Sequence, residues 1–172
     1  MNLYFRMLML WLRNRRAPRT GVWDTVTTPF RVAPSDLDVL LHMNNGKYLT
    51  IMDLGRVDLM QRSGMWEGLN ERGWYPVVAG QTITYRRSLK LGQRFDLRTR
   101  VVGFDDRWIF LEQTFLVGEV VHARAAVRAR FLKRRGGSVE HDELEGLVGG
   151  FPEHLELPDW MVEWAENTRI AR

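Results

Sequence analysis

One helical run governs what this chain can fold into. From Gly46 to Arg62, in GKYLTIMDLGRVDLMQR, apolar residues recur at helical spacing, and Tyr48, Ile51, Met52, Gly55 and Leu59 form one face. Leu49, Leu54, Val57 and Met60 widen the apolar surface well beyond an ordinary stripe. A helix apolar over so much of its circumference must be covered on several sides. Gly55 costs about 1 kcal/mol inside a helix, and close contact with a sheet would justify it. Ser63-Gly64 stops the run.

The flanking segments supply the cover. VWDTVTTPFRV, Val22 to Val32, is predicted to be a first strand, with Pro29 assigning its centre to a sheet edge or a bulge. After the helix, MWEGLNERG reads as a short second helix or an irregular lid. YPVVAGQTITYRR is the next strand. RFDLRTRVV then alternates strictly, with Phe95, Leu97, Thr99 and Val101 on one face and charged residues on the other, which marks a half-buried antiparallel strand. GFDDR turns the chain into WIFLEQTFLV. Gly118-Glu119 makes a tight hairpin into VVHARAAVRARFLKR, where Ala123, Ala125, Val127, Ala129 and Phe131 stand opposite His122, Arg124, Arg128 and Arg130. Gly136-Gly137 closes the core. The tail holds a short acidic helix near Asp142–Leu147 and a last helix in LPDWMVEWAENTRIAR. The expected division is an apolar and basic helical segment at 1–19, a central domain at 20–135 and an extension at 136–172. An α+β fold, an antiparallel sheet curled round one central helix, satisfies these patterns. Its far face and edges stay open, so the chain is expected to pair with a second copy.

Composition narrows the chemistry. With 45% apolar and 27% charged residues, the chain has ordinary globular make-up. It has no cysteine, which excludes disulfides, thiolate catalysis and Cys-ligated metal. His42, His122, His141 and His154 show no metal-binding spacing. The net charge is +4, and among 25 basic residues only Lys47, Lys90 and Lys133 are lysine. That pI-raising arginine is spread along strands rather than clustered on one helix, and no nucleic-acid recognition motif accompanies it. The Arg124, Arg128, Arg130 stripe reads as a solvated face, with phosphate binding as the alternative.

The first twelve residues, MNLYFRMLMLWL, are nearly all apolar, and RNRRAPR follows. The run is too short to span a bilayer. A secretory signal would put its charge before the apolar run. Two readings survive: a helix packed on the domain, or peripheral membrane contact through residues 1–16 with the arginines at the headgroups. A cytoplasmic protein, peripheral on the inner membrane surface in the second case, is expected.

Between the first strand and the long helix lies SDLDVLLHMNNGKY. It resembles the D-x-D-x-x-G-H-x-N-N-x-x-Y stretch of the hot-dog-fold thioesterases, the 4-hydroxybenzoyl-CoA-thioesterase-like and acyl-ACP-thioesterase-like proteins. ITYRRSLKLGQRFDLRTRV is similar to their second motif, a strand, a turn and a strand. Together with the hairpins, the likeness covers roughly Val22 to Lys133, and it is nearest to the branch similar to thioesterase superfamily member six. The resemblance implies a hot-dog fold and hydrolysis of an acyl-CoA or acyl-ACP thioester without metal or redox cofactor. It assigns Asp38 as general base or nucleophile, and the backbone N–H near Asn45 as the group polarising the thioester carbonyl. The physics agrees: the first N–H groups of a helix lack internal partners and carry the positive end of its dipole, which suits a developing oxyanion.

His42 either orients the carbonyl or holds the loop. Asn44 is the expected helix N-cap. Asn44, Tyr48, Arg86 and Lys90 are the expected substrate contacts, with Tyr48 in the core and its hydroxyl near the site. Asp36 reads as a turn residue without a chemical role. Leu41 departs from the family pattern, which often has Gly there; its side chain would narrow the site or alter the loop backbone. The competing function is a hot-dog protein that binds acyl-CoA or lipid without turnover. Hydration of enoyl thioesters ranks last, because no D-x-N-P-I-H or H-F-P stretch occurs. A homodimer or tetramer is the expected assembly.

Overall fold

The computed structural model describes residues 3–105 and 107–169. Met1, Asn2, Asp106 of the expected GFDDR turn and residues 170–172 of the expected last helix lie outside them. In chain order the elements are α1 (Leu3–Asn14), β1 (Val26–Arg31), a 3-10 turn (Pro34–Asp36), α2 (Asn45–Arg62), α3 (Met65–Arg72) and β2 (Trp74–Tyr85). There follow β3 (Arg94–Phe104), β4 (Ile109–Val117), β5 (Val120–Lys133), α4 (His141–Val148) and α5 (Asp159–Asn167).

The strands make one antiparallel sheet in the order β1-β3-β4-β5-β2. Short hairpins keep β3, β4 and β5 adjacent. The helical crossing of α2 and α3 sends β1 and β2 to opposite edges. Pro29 accordingly sits on an edge strand, where its missing N–H costs no ladder bond. The MWEGLNERG segment is a regular helix, α3, between two left-handed glycines, Gly64 and Gly73.

The sheet wraps α2, as the hot-dog order implies. Ile51, Met52 and Leu54 of α2 are wholly buried, as are Leu97, Phe115 and Val127 of the sheet. Gly55 is where helix and sheet come closest. A methyl group there would lie 2.6 Å from Leu97 Cδ2, 2.7 Å from Thr99 Oγ1 and 2.9 Å from Gln113 Nε2. The glycine is therefore a packing requirement.

Two features differ from the sequence reading. The far face of the sheet is not open: α5 lies on it, with Met161 buried among Val102, Phe110 and Ala126. Arg128 is not a solvated residue either. It is 7% exposed, donates to the carbonyls of Ala165 and, at 3.1 Å, Thr168, and lies over the rings of Trp108 and Trp164. A cation is favoured at a helix C-terminus because it meets the last free carbonyls.

The N-terminal segment is helical, as expected. It buries Leu10 and makes polar contacts with α2: Arg13 donates to Asp58 at 2.8 Å, and Asn14 to Gln61 at 2.9 Å. Asp58 is fully buried and also accepts from Thr28 of β1, so it joins three elements. No helix among the described residues is long and apolar enough to cross a membrane.

Candidate active site

The loop joining β1 to α2 is stitched together by its backbone. Leu37 pairs with Met43 across it. Asp38 N–H donates to the His42 carbonyl at 2.8 Å, and Leu41 N–H to the Asp38 carbonyl at 3.1 Å, so Asp38 to His42 closes as a tight turn. The turn is fastened to the β2–β3 connection: Met43 N–H reaches the Leu89 carbonyl at 2.9 Å, and His42 bridges to Lys90.

Asp38 stands at the base of this turn. Its Oδ1 accepts the N–H groups of Leu40 (2.9 Å) and His42 (3.2 Å). Among the described residues, Oδ2 has no hydrogen-bond partner. Leu41 has φ +60°, the left-handed region that glycine favours. This explains the glycine of the family pattern: the turn needs a left-handed residue just before the histidine. Here leucine adopts that conformation, at a cost of roughly 1–2 kcal/mol. The tip of the turn is apolar and open to solvent, with Val39 97% and Leu40 71% exposed.

The start of α2 lies directly behind. Asn44 is its N-cap: its side chain accepts from Gly46 N–H at 2.8 Å, and its own N–H donates to the Asp36 carbonyl at 2.8 Å. Lys47 N–H is taken by the Asn44 carbonyl. The first helical N–H, that of Asn45, has no acceptor among the described residues, and Asn45 is exposed.

The remaining expected site residues divide. Tyr48 is buried beneath the loop between the rings of Tyr85 and Phe115, and its hydroxyl accepts from Leu89 N–H at 3.3 Å. Burial raises its phenol pKa above the ordinary value, against a smaller lowering by the Leu89 N–H. Lys90 is exposed and faces His42 across the bridge. Arg86 lies elsewhere: it lines a hollow on the outer face of the sheet with Thr84, Glu112, Arg124 and Trp160.

Sequence reading missed a polar group further along α2. Arg56 pairs with Asp53 one turn away and donates to Gln113 Oε1 at 2.7 Å; Gln113 in turn donates to the Met52 carbonyl (2.9 Å) and Thr99 (3.0 Å). Burial lowers the Arg56 pKa, and the Asp53 carboxylate offsets part of this. Asp53 and Arg56 also line an apolar cavity of about 230 Å³, whose wall includes Val57, Met60, Val78 and Phe131. The available signal was Gln113, a polar residue at an inward-facing position of β4. Asp53 is eight residues past Asn45, roughly 12 Å along the helix axis.

A sheet wrapped on one helix, with a carboxylate turn at that helix's positive end, defines a thioesterase-like protein of the hot-dog class. Residues 32–165 match the family model described as the thioesterase-like superfamily, and the chain belongs to that family. It is 35% identical over 133 residues to the protein THEM6 of Xenopus laevis, covering 77% of this chain and 63% of that one. It is 24% identical over 129 residues to the thioesterase lcsJ of Purpureocillium lilacinum, covering 59% of this chain and 42% of that one. The chain thus spans less than two thirds of the length of these curated relatives. The probable thioesterase YbaW of Escherichia coli shares the fold, with TM-score 0.67 at 21% identity, covering 71% of this chain and 95% of that one.

Proposed function

We propose that the chain hydrolyses an acyl thioester, with CoA or an acyl carrier protein as the thiol. The observation that carries this reading is the unpartnered Asn45 N–H at the start of α2, behind a turn that holds the Asp38 carboxylate. In this reading the thioester carbonyl oxygen lies on the Asn45 N–H, where the helix dipole favours the negative charge of the tetrahedral intermediate. Asp38 Oδ2 takes a proton from the attacking water, or itself attacks the carbonyl carbon. The intermediate then collapses, the C–S bond breaks and the thiolate leaves, taking the proton that Asp38 removed from water. In the nucleophilic route the collapse leaves a mixed anhydride on Asp38; a water cleaves it, restoring the carboxylate and releasing the acid, and a proton of that water goes to the thiolate. His42 and Lys90, paired across the bridge, flank the entrance, and Asn44 orients the helix start. No metal or redox cofactor enters the scheme.

The active form we propose is a homodimer or a tetramer of such dimers. β2 is a free sheet edge, and its Tyr75, Val78 and Tyr85 remain 39–40% exposed. An open edge of this kind is a template for a second copy. Sedimentation as a monomer at micromolar concentration would remove this part of the proposal.

A second reading is a binding protein for acyl-CoA or lipid without turnover. The separation of the apolar cavity from Asp38 along α2 favours it. Release of free thiol from a panel of acyl-CoA esters distinguishes the two. Asp38→Asn keeps an Oδ1 acceptor for Leu40 and His42, so the turn survives while the basic carboxylate is gone. Turnover should fall by about 10²–10⁴ with the melting temperature unchanged. Retention of most activity by this variant rejects the mechanism. Absence of turnover on every ester, with binding retained, selects the second reading.

A further inference from the structure

α1 turns its long polar side chains inward, beside a single buried apolar residue, Leu10. Arg6 meets Asp36, Arg13 meets Asp58 and Asn14 meets Gln61, so these three polar side chains turn toward the body of the protein. The opposite side carries Phe5, Leu8, Met9, Trp11 and Leu12, each 45–51% exposed. At 3.6 residues per turn these five share one face about 160° wide. A helix resting on a globular body ordinarily does the reverse, with its apolar stripe on the core and its charges in water. Among the described residues nothing covers this face.

The charges beside the face indicate what does. Arg15 and Arg16 continue it and are exposed, and Arg19 follows. The Arg15 guanidinium lies 3.9 Å over the Trp11 ring. The first acidic residue of the chain is Asp24. A second copy of this face would therefore bring no carboxylate to these arginines. An apolar arc with a Trp and a basic end is the pattern of a helix lying in a lipid interface, where anionic headgroups meet the arginines.

We propose that α1 is an interfacial helix whose outer face inserts into the surface of an anionic bilayer, while its Arg6 and Arg13 clasp it to the protein. The helix lies on the membrane rather than through it. The Arg6–Asp36 contact then holds the Asp38 turn close to the bilayer, two residues beyond the clasp. This inference is independent of the thioesterase reading, and its test contains no activity measurement.

The test is co-sedimentation of the full chain with vesicles of phosphatidylcholine alone and of phosphatidylcholine mixed with phosphatidylglycerol. The wild type should partition to the anionic vesicles and be released as salt rises. Leu8→Ser with Trp11→Ser should weaken partition at least about tenfold. Arg15→Gln and Arg16→Gln should each weaken it roughly fivefold. All four positions are exposed, so the melting temperature should not move. A wild type that ignores anionic vesicles overturns the proposal, and so does a doubly serine-substituted chain that partitions like wild type. If that variant instead loses a self-associated species in sedimentation velocity, with no effect on vesicles, a second copy covers the face and the proposal is wrong.

Discussion

Arg6 of α1 and Asp36 of the 3-10 turn form an ion pair almost wholly out of water, with side-chain exposures of 5% and 1%. Asp36 Oδ2 also accepts Ala33 N–H at 2.8 Å, and Arg6 donates to the Arg31 carbonyl at 3.3 Å. The pair binds α1, the end of β1 and the loop carrying Asp38 into one unit.

Removing one partner should therefore cost much more than removing both. Asp36→Ala leaves the Arg6 guanidinium buried without its counter-charge, a loss of about 3–5 kcal/mol. For a chain of this size that is a fall in melting temperature of roughly 10 °C. Arg6→Met combined with Asp36→Leu restores apolar contact and should recover most of the loss. Thermal denaturation of the two singles and the double checks this. A single Asp36→Ala within about 2 °C of wild type would show the pair to be unimportant.

Leu41 carries a backbone strain that its neighbours hold in place. Leu41→Gly should be neutral or slightly stabilising, because relief of the left-handed penalty offsets the extra entropy of glycine in the unfolded chain. Leu41→Val should destabilise by about 1–3 kcal/mol, since a β-branched residue tolerates this region least. Urea denaturation should rank glycine at or above leucine, with valine last. A valine variant as stable as wild type would mean that the turn rearranges freely.

What could be read from the sequence was what depends on near neighbours. The period of α2, the alternation of β3, Pro29 on an edge and Asn44 as a cap all follow from residues within a turn or a hairpin of one another. Gly55 was readable for a related reason: a glycine in a strongly helical, apolar run needs a sheet close by. What went unread or was misread involves partners far along the chain. Asp36 is the turn residue it was read as, and only its ion pair went unread, because the counter-charge is thirty positions away on α1. Arg128 alternated with apolar residues like any solvated arginine, and its acceptors lie 37 and 40 residues on. Arg56 and Asp58 were invisible for the same reason, since a polar residue in an apolar helix shows its purpose only once Gln113, Thr28 and Arg13 are brought to it.

Gly55→Ala sets helix propensity against packing. Propensity alone would favour alanine by about 1 kcal/mol. The added methyl would stand within 2.9 Å of three side chains, so overpacking should win, with a net loss of about 1–3 kcal/mol. Gly146→Ala in α4 is the matched control, because no atom lies within 4 Å of its added methyl. It should gain a few tenths to about 1 kcal/mol. Paired denaturant titrations should move in opposite directions; the same sign for both would refute the close approach at Gly55.

Arg128 should decide whether α5 stays on the sheet. Its guanidinium serves two carbonyls at the C-terminal end of the helix and lies over the rings of Trp108 and Trp164, 5.6 and 5.4 Å from their centroids. Arg128→Met removes both donors and leaves the last carbonyls of α5 unpaired. The expected result is local: α5 detaches, amide exchange rises across Asp159–Asn167, and protease cuts appear in the segment before it. Strands β3 to β5 should remain protected, because the packing against α2 is untouched. Arg128→Lys should not restore protection. A lysine keeps the charge but lacks the planar fork that reaches two carbonyls at once beside the two indole rings. Wild-type exchange rates in the lysine variant would mean that charge at the helix end suffices and that the planar group is dispensable.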